Sequence, residues 1–445
     1  MITLKKIHFI SIGGSIMHSL AINLKNNNNV VTGSDDIIYD PAKSNLKKND
    51  LLPKSMGYNK NNIYEKLDMI IVGMHTKKNN IELIQALKMK LPILSFPEFI
   101  RKFSENKQRI IIAGSHGKST ITSIIMHVLS YAKKKFDYVI GAKVPGFDTN
   151  IKLTDAPIII IEGDEYSSSP LNKNPKFLLY DHHIVLINGI SWDHANVFHS
   201  KMNYVEQFKK LIQKTKKGGS IIYFKKDKEL KRIMINERED VDLIEYGLHT
   251  NKIINNKTFL IENKEIIPLN IFGDHNMQNI SGAIKVLSKL AIQKNIFYKA
   301  MQSYNAPKIR LEIVKDFNNN FVFRDFAHSP SKVISTVKAV KKQFKNKLYS
   351  ILELHTLSSL NEDFLYNYRN TLNHSDKSVL YYSKKEIIKK FSEKKFQKIF
   401  NNNKLICCNK SSKLKGLLQK IDLKKYNILL MSSGNFDGLE INKIF

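Results

Sequence analysis

The stretch from Arg109 to Thr122, Arg-Ile-Ile-Ile-Ala-Gly-Ser-His-Gly-Lys-Ser-Thr-Ile-Thr, constrains the fold of this chain more than any other. Ile110 to Ile112 are β-branched and predict a buried strand, while Ile121, Ile124, Ile125, Val128 and Leu129 recur at helical spacing. Between them lies Gly114-Ser115-His116-Gly117-Lys118-Ser119. Strand, glycine loop and helix in that order are the layout of a phosphate cradle. Backbone N–H groups close around phosphate oxygens at the helix N-terminus, Lys118 supplies positive charge, and the Ser119 hydroxyl can hold Mg²⁺. The spacing departs from the ordinary P-loop, which needs a glycine where Ile112 stands. A glycine turn beside a solvated lysine is the plainer alternative; the flanking strand and helix favour nucleotide phosphate.

Later strands deliver further polar groups. Pro157 to Ile161 is short and wholly apolar, as a central parallel strand should be, and it ends in Glu162-Gly163-Asp164-Glu165. Ligands of open α/β sheets bind at that C-terminal edge, where Mg²⁺ takes carboxylate oxygens together with phosphate. Ile184 to Ile187 releases Asn188-Gly189-Ile190-Ser191-Trp192-Asp193-His194, whose histidine could orient phosphate or bind a metal. Before all of these, residues 4–20 again read strand, glycine turn and helix around Gly13-Gly14-Ser15, and a second strand, Val30-Val31, stops at Gly33-Ser34-Asp35. A glycine turn followed about twenty residues later by an acid is half of the Rossmann pattern for a dinucleotide or nucleotide sugar. Ser11 and Met17 stand where the full motif needs glycines, which makes NAD a weak candidate. After Pro307, strands at Phe321–Phe323, Leu348–Leu352, Ser378–Tyr382 and Ile428–Met431 alternate with helical stretches, a third α/β unit. The expected domains are residues 1–107, 108–305 and 306–445, in keeping with ~150 residues per domain.

Charge needs a separate account. Lys+Arg 71 against Asp+Glu 40 gives a net charge of +31, which ordinarily suggests nucleic acid. Here the surplus is mostly lysine, mixed with asparagine and isoleucine (Asn26 to Asn29, Asn318 to Asn320, Asn401 to Asn403) and spread along the whole chain. That pattern predicts a solvated surface with non-specific polyanion binding as a side effect, and no specific nucleic-acid partner. Cys407 and Cys408 are adjacent, so they form neither a disulfide framework nor a spaced metal site. Lys5-Lys6 before Ile-His-Phe-Ile faintly mimics a signal peptide, but His8, Gly13-Gly14 and His18 break its apolar core, and no later run approaches ~18 apolar residues. The expectation is a soluble cytoplasmic protein without membrane insertion, a monomer or weak homo-oligomer. An NAD-dependent dehydrogenase would leave the second loop and its carboxylates unexplained; a nucleic-acid-binding ATPase would use the charge.

Together these stretches resemble the Mur ligase family of ATP-dependent amide-forming enzymes of peptidoglycan synthesis. The resemblance spans the chain and is carried by Ile12-Gly13-Gly14-Ser15 with Gly33-Ser34-Asp35, Gly114 to Thr120, Glu162 to Glu165, Asn188 with Asp193-His194, Gly273-x-His275-Asn276-x-x-Asn279, Arg310 with Glu312, and Asp325-x-Ala327-His328-x-Pro330. It implies an α/β protein of three domains: a Rossmann-like N-terminal domain for a UDP-sugar, a central P-loop-type ATPase domain, and a C-terminal Rossmann-like domain for the amine. It implies ATP held by Gly114, Ser115, His116, Gly117, Lys118, Ser119 and Thr120, with Asn276 on the adenine side and Arg310 and Asp325 toward the γ-phosphate and ribose. Mg²⁺ would fall to Ser119, Glu162 and His194, the UDP-sugar to Gly13, Gly14, Ser15, Ser34, Asp35 and Asn188, and catalysis to Lys118, His194 and Arg310. The implied substrates are UDP-N-acetylmuramate and an amino acid or peptide. Glu162 to Tyr166 and Trp192 to Phe198 look closer to the branch that joins L-Ala-γ-D-Glu-meso-diaminopimelate. Free L-alanine is the alternative, although His355-Thr356 stands where that branch has a His-Arg pair, whose guanidinium suits a small substrate's carboxylate. Lys209 lies where some members carry a carbamylated lysine, which this branch generally lacks.

Overall fold

The structure, a computed structural model, describes residues 4–192, 197–198, 200–234 and 238–445. Short apolar runs flanked by glycine turns become parallel strands buried on both faces. In the first unit β1 (Lys6–Ile10), β2 (Val30–Ser34), β3 (Met69–Val72) and β4 (Ile93–Ser95) are all parallel, in the order β2-β1-β3-β4. Helices α1 (Met17–Asn26), α2 (Ala42–Lys48) and α4 (Phe96–Phe103) pack on Ile7, Phe9 and Ile71. Helix α3 (Ile81–Lys88) covers Ile70 and Val72 from the other side.

The central sheet contains β5 (Gln108–Ala113), β6 (Asp137–Val139), β7 (Ile151–Lys152), β8 (Ile158–Glu162), β9 (Ile184–Ile187), β10 (Ser220–Phe224) and β11 (Asp242–Tyr246), in the order β11-β10-β9-β5-β8-β6-β7. Only β7 is antiparallel to its neighbour. One face of β5, Ile110 and Ile112, packs on α5 (Lys118–Tyr131), while Ile111 on the other face joins the cluster that includes Phe208 of α6 (Lys201–Gln213). Helix α7 (Lys228–Ile233) follows β10. A three-stranded antiparallel meander, β12 (Asn251–Ile254), β13 (Lys257–Glu262) and β14 (Glu265–Leu269), then precedes α8 (Asp274–Lys289) and α9 (Lys294–Met301).

The third sheet, β15 (Glu312–Phe317), β16 (Asn320–Asp325), β17 (Lys347–Glu353), β18 (Lys377–Tyr381), β19 (Ile406–Cys408) and β20 (Tyr426–Met431), is ordered β15-β16-β20-β17-β18-β19. It is parallel except for the β15–β16 hairpin. Helix α10 (Pro330–Gln343) follows β16 and buries Val333, Val337 and Val340. The class expected from the sequence, three α/β units in series, is the class observed. Among the described residues no helix is long and apolar enough to cross a membrane.

Candidate functional site

The loop between β5 and α5 is shaped by two glycines. Gly114 has φ 122° and Gly117 φ 74°, left-handed conformations that side chains resist. Space excludes a side chain as well. A Cβ on Gly117 would lie 2.1 Å from Asn279 Oδ1 and 2.4 Å from Asn188 Nδ2. Asn188 is the brace under this loop: its Nδ2 donates to the His116 carbonyl (3.0 Å) and to Asn279 Oδ1 (2.8 Å), and its Oδ1 accepts from the Tyr246 hydroxyl (2.5 Å). Asn188 also lines the cleft that Gly13, Gly14, Ser15 and Asp35 enter, with the polar atoms of its side chain held within the central unit. The Ser115 hydroxyl also turns inward, to the Tyr204 hydroxyl (2.9 Å) and the Ser191 amide (2.9 Å), leaving the loop backbone for phosphate.

The carboxylates after β8 do not act as one cluster. Glu162 Oε1 accepts from the Ser119 hydroxyl (2.8 Å) and Oε2 from the Gly141 amide (2.8 Å). Asp164 pairs with Lys176 (2.9 Å), and Glu165 with Lys118 (2.6 Å). Of these acids only Glu162, the one expected at the metal, meets Ser119, because alternate side chains leave a strand end in different directions. Burial opposes the charge of Lys118, but Glu165, Asp164 and Glu162 together hold its pKa above the ordinary lysine value. Among the described residues no group of three or more His, Cys, Asp or Glu side chains forms a metal cage. Ser119 and Glu162 nevertheless fit Mg²⁺, an ion that takes one or two protein oxygens and completes its shell with water and phosphate. Asp193 and His194, the latter expected at the metal and in catalysis, lie outside the described residues.

The third unit and the connection leading to it reach the loop. Arg310, from the connection between the central and third units, directs Nη2 toward Ser119 Oγ (3.4 Å) and stacks its guanidinium on Phe326 at 4.7 Å. Asp325, at the end of β16, accepts from the Leu311 amide (2.5 Å) and the Ala327 amide (2.8 Å), so its carboxylate fixes the backbone immediately after Arg310 and after Phe326. Burial raises its pKa, with Arg310 and these amides opposing. Asn276 is buried, donates to the Phe272 carbonyl (2.8 Å) and lines the cleft beside His275, whose pKa burial lowers to about 4. His116 bridges to the third unit through Ser331 Oγ (2.7 Å), and Thr120 lines the same space.

In the first unit Asp35 accepts from the Gly13 amide (2.8 Å), closing the turn that exposes Gly14 and Ser15. Ser34 does not reach the cleft: its hydroxyl donates to Glu82, which also accepts from the Asn59 amide (2.9 Å) and Asn62 Nδ2 (2.7 Å) and touches His8 (3.3 Å). Burial disfavours the Glu82 carboxylate, yet these donors hold its pKa below the usual range. Ser34 is therefore corrected from UDP-sugar contact to part of the network behind the turn. Sequence reasoning missed Glu82, and also Tyr58, whose hydroxyl meets Ser11 Oγ (2.9 Å) at the cleft wall; neither sits in a local motif. Gly13, Gly14, Ser15 and Asp35, the phosphate loop from Ser115 onward, Glu162, Arg310 and Asp325 all line one cleft of ≈ 820 Å³.

A glycine loop beside acidic oxygens, an arginine from the connection to the third unit and a glycine turn from the first, on three α/β units, have the layout of a three-domain ATP-dependent ligase. Residues 112–287 match the Mur ligase middle domain, and residues 6–108 match the Mur ligase family catalytic domain. The UDP-N-acetylmuramate–L-alanine ligase of Ruthia magnifica subsp. Calyptogena magnifica is 30% identical over 406 residues, 85% of this chain and 82% of that protein. The UDP-N-acetylmuramate–L-alanyl-gamma-D-glutamyl-meso-2,6-diaminoheptandioate ligase of Haemophilus influenzae is 27% identical over 350 residues, 76% of each. The crystal structure of the UDP-N-acetylmuramate-alanine ligase of Thermotoga maritima superposes with a TM-score of 0.71 at 18% identity, covering 97% of this chain and 96% of that one. The chain belongs to the Mur ligase family and is an ATP-dependent, amide-forming ligase.

Proposed function

We propose that this protein joins the lactyl carboxylate of UDP-N-acetylmuramate to the amine of L-Ala-γ-D-Glu-meso-diaminopimelate in the cytoplasm, with ATP activating the carboxylate as an acyl phosphate. The observation that supports this most is the shared cleft, in which the Gly13–Asp35 turn, the Lys118 loop and Arg310 face one space. A carboxylate cannot expel oxide at neutral pH, so it must first take the γ-phosphoryl group; the amine then attacks the acyl carbon and inorganic phosphate leaves. The protein's part is positioning and charge neutralisation. Gly13, Gly14, Ser15 and Asp35 would hold the UDP moiety. Lys118 and Arg310 would neutralise the transferring phosphoryl group from the central and third units. Ser119 and Glu162 would hold Mg²⁺, whose charge would offset that of the phosphates. Water is excluded when the third unit closes over the cleft.

The preference for the tripeptide rests on Glu162 to Tyr166 and Trp192 to Phe198, which look closer to the branch that joins it, and on Thr356, which follows His355 where the alanine-joining branch has an arginine. The L-alanine reaction is the second reading, favoured by the 30% identity to the Ruthia ligase. Phosphate release from Mg²⁺-ATP with UDP-N-acetylmuramate, measured with each amine separately, decides between them. Release with the tripeptide alone is expected; release with L-alanine alone overturns the choice of amine, and silence with both overturns this substrate pair.

A further inference from the structure

Glu165 is buried, 1% exposed, and points away from the Ser119–Glu162 pair, toward Lys118. We propose that Glu165 and Tyr204 are positioning residues that aim the Lys118 ammonium at the nucleotide phosphates, an inference that rests on the phosphate-loop reading above. The hydrogen-bond directions carry it. Lys118 Nζ donates to Glu165 Oε2 (2.6 Å) and to the Gly114 carbonyl (3.0 Å). A carboxylate only accepts, so the Tyr204 hydroxyl, 3.2 Å from Glu165 Oε1, donates to it. The Tyr204 oxygen is then left to accept the Ser115 hydroxyl proton at 2.9 Å, while Ser115 Oγ accepts from the Ser191 amide at 2.9 Å. The chain of donors therefore runs one way, from Ser191 through Ser115 and Tyr204 to Glu165, where it meets Lys118 coming from the other side.

This arrangement ties both ends of the phosphate loop, Ser115 and Lys118, to α6. Its anchor is rigid: Tyr204 is fully buried, with its ring 5.1 Å from Phe198 and 5.2 Å from Phe208, both in edge contact. Lysine is a point charge on a flexible four-carbon stem, unlike the preorganised fork of arginine. Pinning its ammonium at Gly114 and Glu165 removes that freedom before nucleotide arrives. When the ammonium turns to phosphate, the Tyr204 hydroxyl still holds the carboxylate beside it. Asp164 does not share the task, being paired with Lys176, and Glu162 is held by Ser119 and Gly141.

The test compares Glu165→Gln, Tyr204→Phe, Lys118→Ala and the Glu165→Gln/Lys118→Ala double variant in the full-length protein. It measures ATP affinity with a fluorescent ATP analogue, KM for ATP, single-turnover phosphate release with UDP-N-acetylmuramate and amine, and thermal unfolding. Glu165→Gln is expected to lower the rate roughly 10- to 100-fold, the scale of a misplaced catalytic group. KM for ATP should stay within about threefold, because alignment and not ground-state binding is lost. Tyr204→Phe, nearly isosteric and folded, should show the same split more weakly and serves if the glutamine variant does not fold. In the Lys118→Ala background Glu165→Gln should change nothing further, since its effect passes through the lysine. A wild-type rate in Glu165→Gln beside an inactive Lys118→Ala, or losses that add fully in the double variant, overturn the proposal alone. A wild-type rate in Lys118→Ala overturns the loop reading on which it stands.

Discussion

Lys118 keeps a positive charge where burial opposes one because three carboxylates face it. Its replacement by alanine should remove most ATP turnover while UDP-N-acetylmuramate binding, measured by calorimetry, is retained, since Gly13 to Asp35 lie in another unit. The same change leaves Glu165 buried without its counter-charge and should lower stability by about 3 kcal/mol. His182 illustrates the opposite sign. It is buried beside Thr215 Oγ1 (2.8 Å), and burial lowers its pKa from 6.5 to about 3. Between those two pH values the unfolded chain holds a proton that the folded chain does not. Stability from this residue is therefore complete above pH 6.5 and declines on acidification at up to about 1.4 kcal/mol per pH unit. A pH series of thermal unfolding midpoints should be flatter across pH 4–6 in His182→Gln than in the parent.

At the level of elements, asparagine proves to be turn chemistry. Three two-residue hairpin turns are built on it: Asn255-Asn256 (φ 48° and 61°), Asn263-Lys264 (φ 47° and 69°) and, within one of the asparagine clusters named above, Asn318-Asn319 (φ 51° and 75°). Asparagine tolerates these left-handed angles better than other side chains, which is what the tight turns of twisted hairpins require. Of the strands they join, Phe321–Phe323 of β16 was legible in the sequence, whereas β12 and β14 were not, being partly exposed and without the apolar runs of β5 or β9. That meander has a role in holding α10. Thr258 Oγ1 donates to Gln343 Oε1 (2.9 Å), and Gln343 Nε2 donates to the Asn256 carbonyl (2.6 Å), at the end of the helix far from Ser331. Gln343→Ala strands the buried Thr258 hydroxyl and should reduce stability by about 1–3 kcal/mol, detected as a lower thermal midpoint.

Across the whole molecule, the cleft exists only because three units converge. His116 to Ser331, Arg310 to Ser119, and the edge contact of Trp192 with Phe364 (5.8 Å) seat the third unit on the central one. The net charge of +31 belongs to this scale too. Its visible pairs are mostly exposed and isolated, such as Lys225–Glu245 and Lys342–Asp274. Binding to a short RNA should accordingly be measurable at about 50 mM salt and fall steeply by about 200 mM, as counterion release dictates. RNA should leave ATP turnover unchanged; stimulation by RNA without UDP-N-acetylmuramate would instead support the nucleic-acid ATPase.

What the sequence determined by itself was local: strand–turn–helix segments, the two glycine turns, and the acids and cations that follow strand ends. These features are set by neighbours within a few residues, through backbone angles and periodicity, so a single chain displays them. Tertiary structure decided how the side chains were partnered. Asn188 braces the phosphate loop because Asn279 and Tyr246, both distant in sequence, meet it there. Ser34 serves Glu82, and the acids after β8 divide among Ser119, Lys176 and Lys118. A strand end fixes where a polar side chain begins, but its partner is chosen by the packing of elements far away in the chain, and no local pattern encodes that choice.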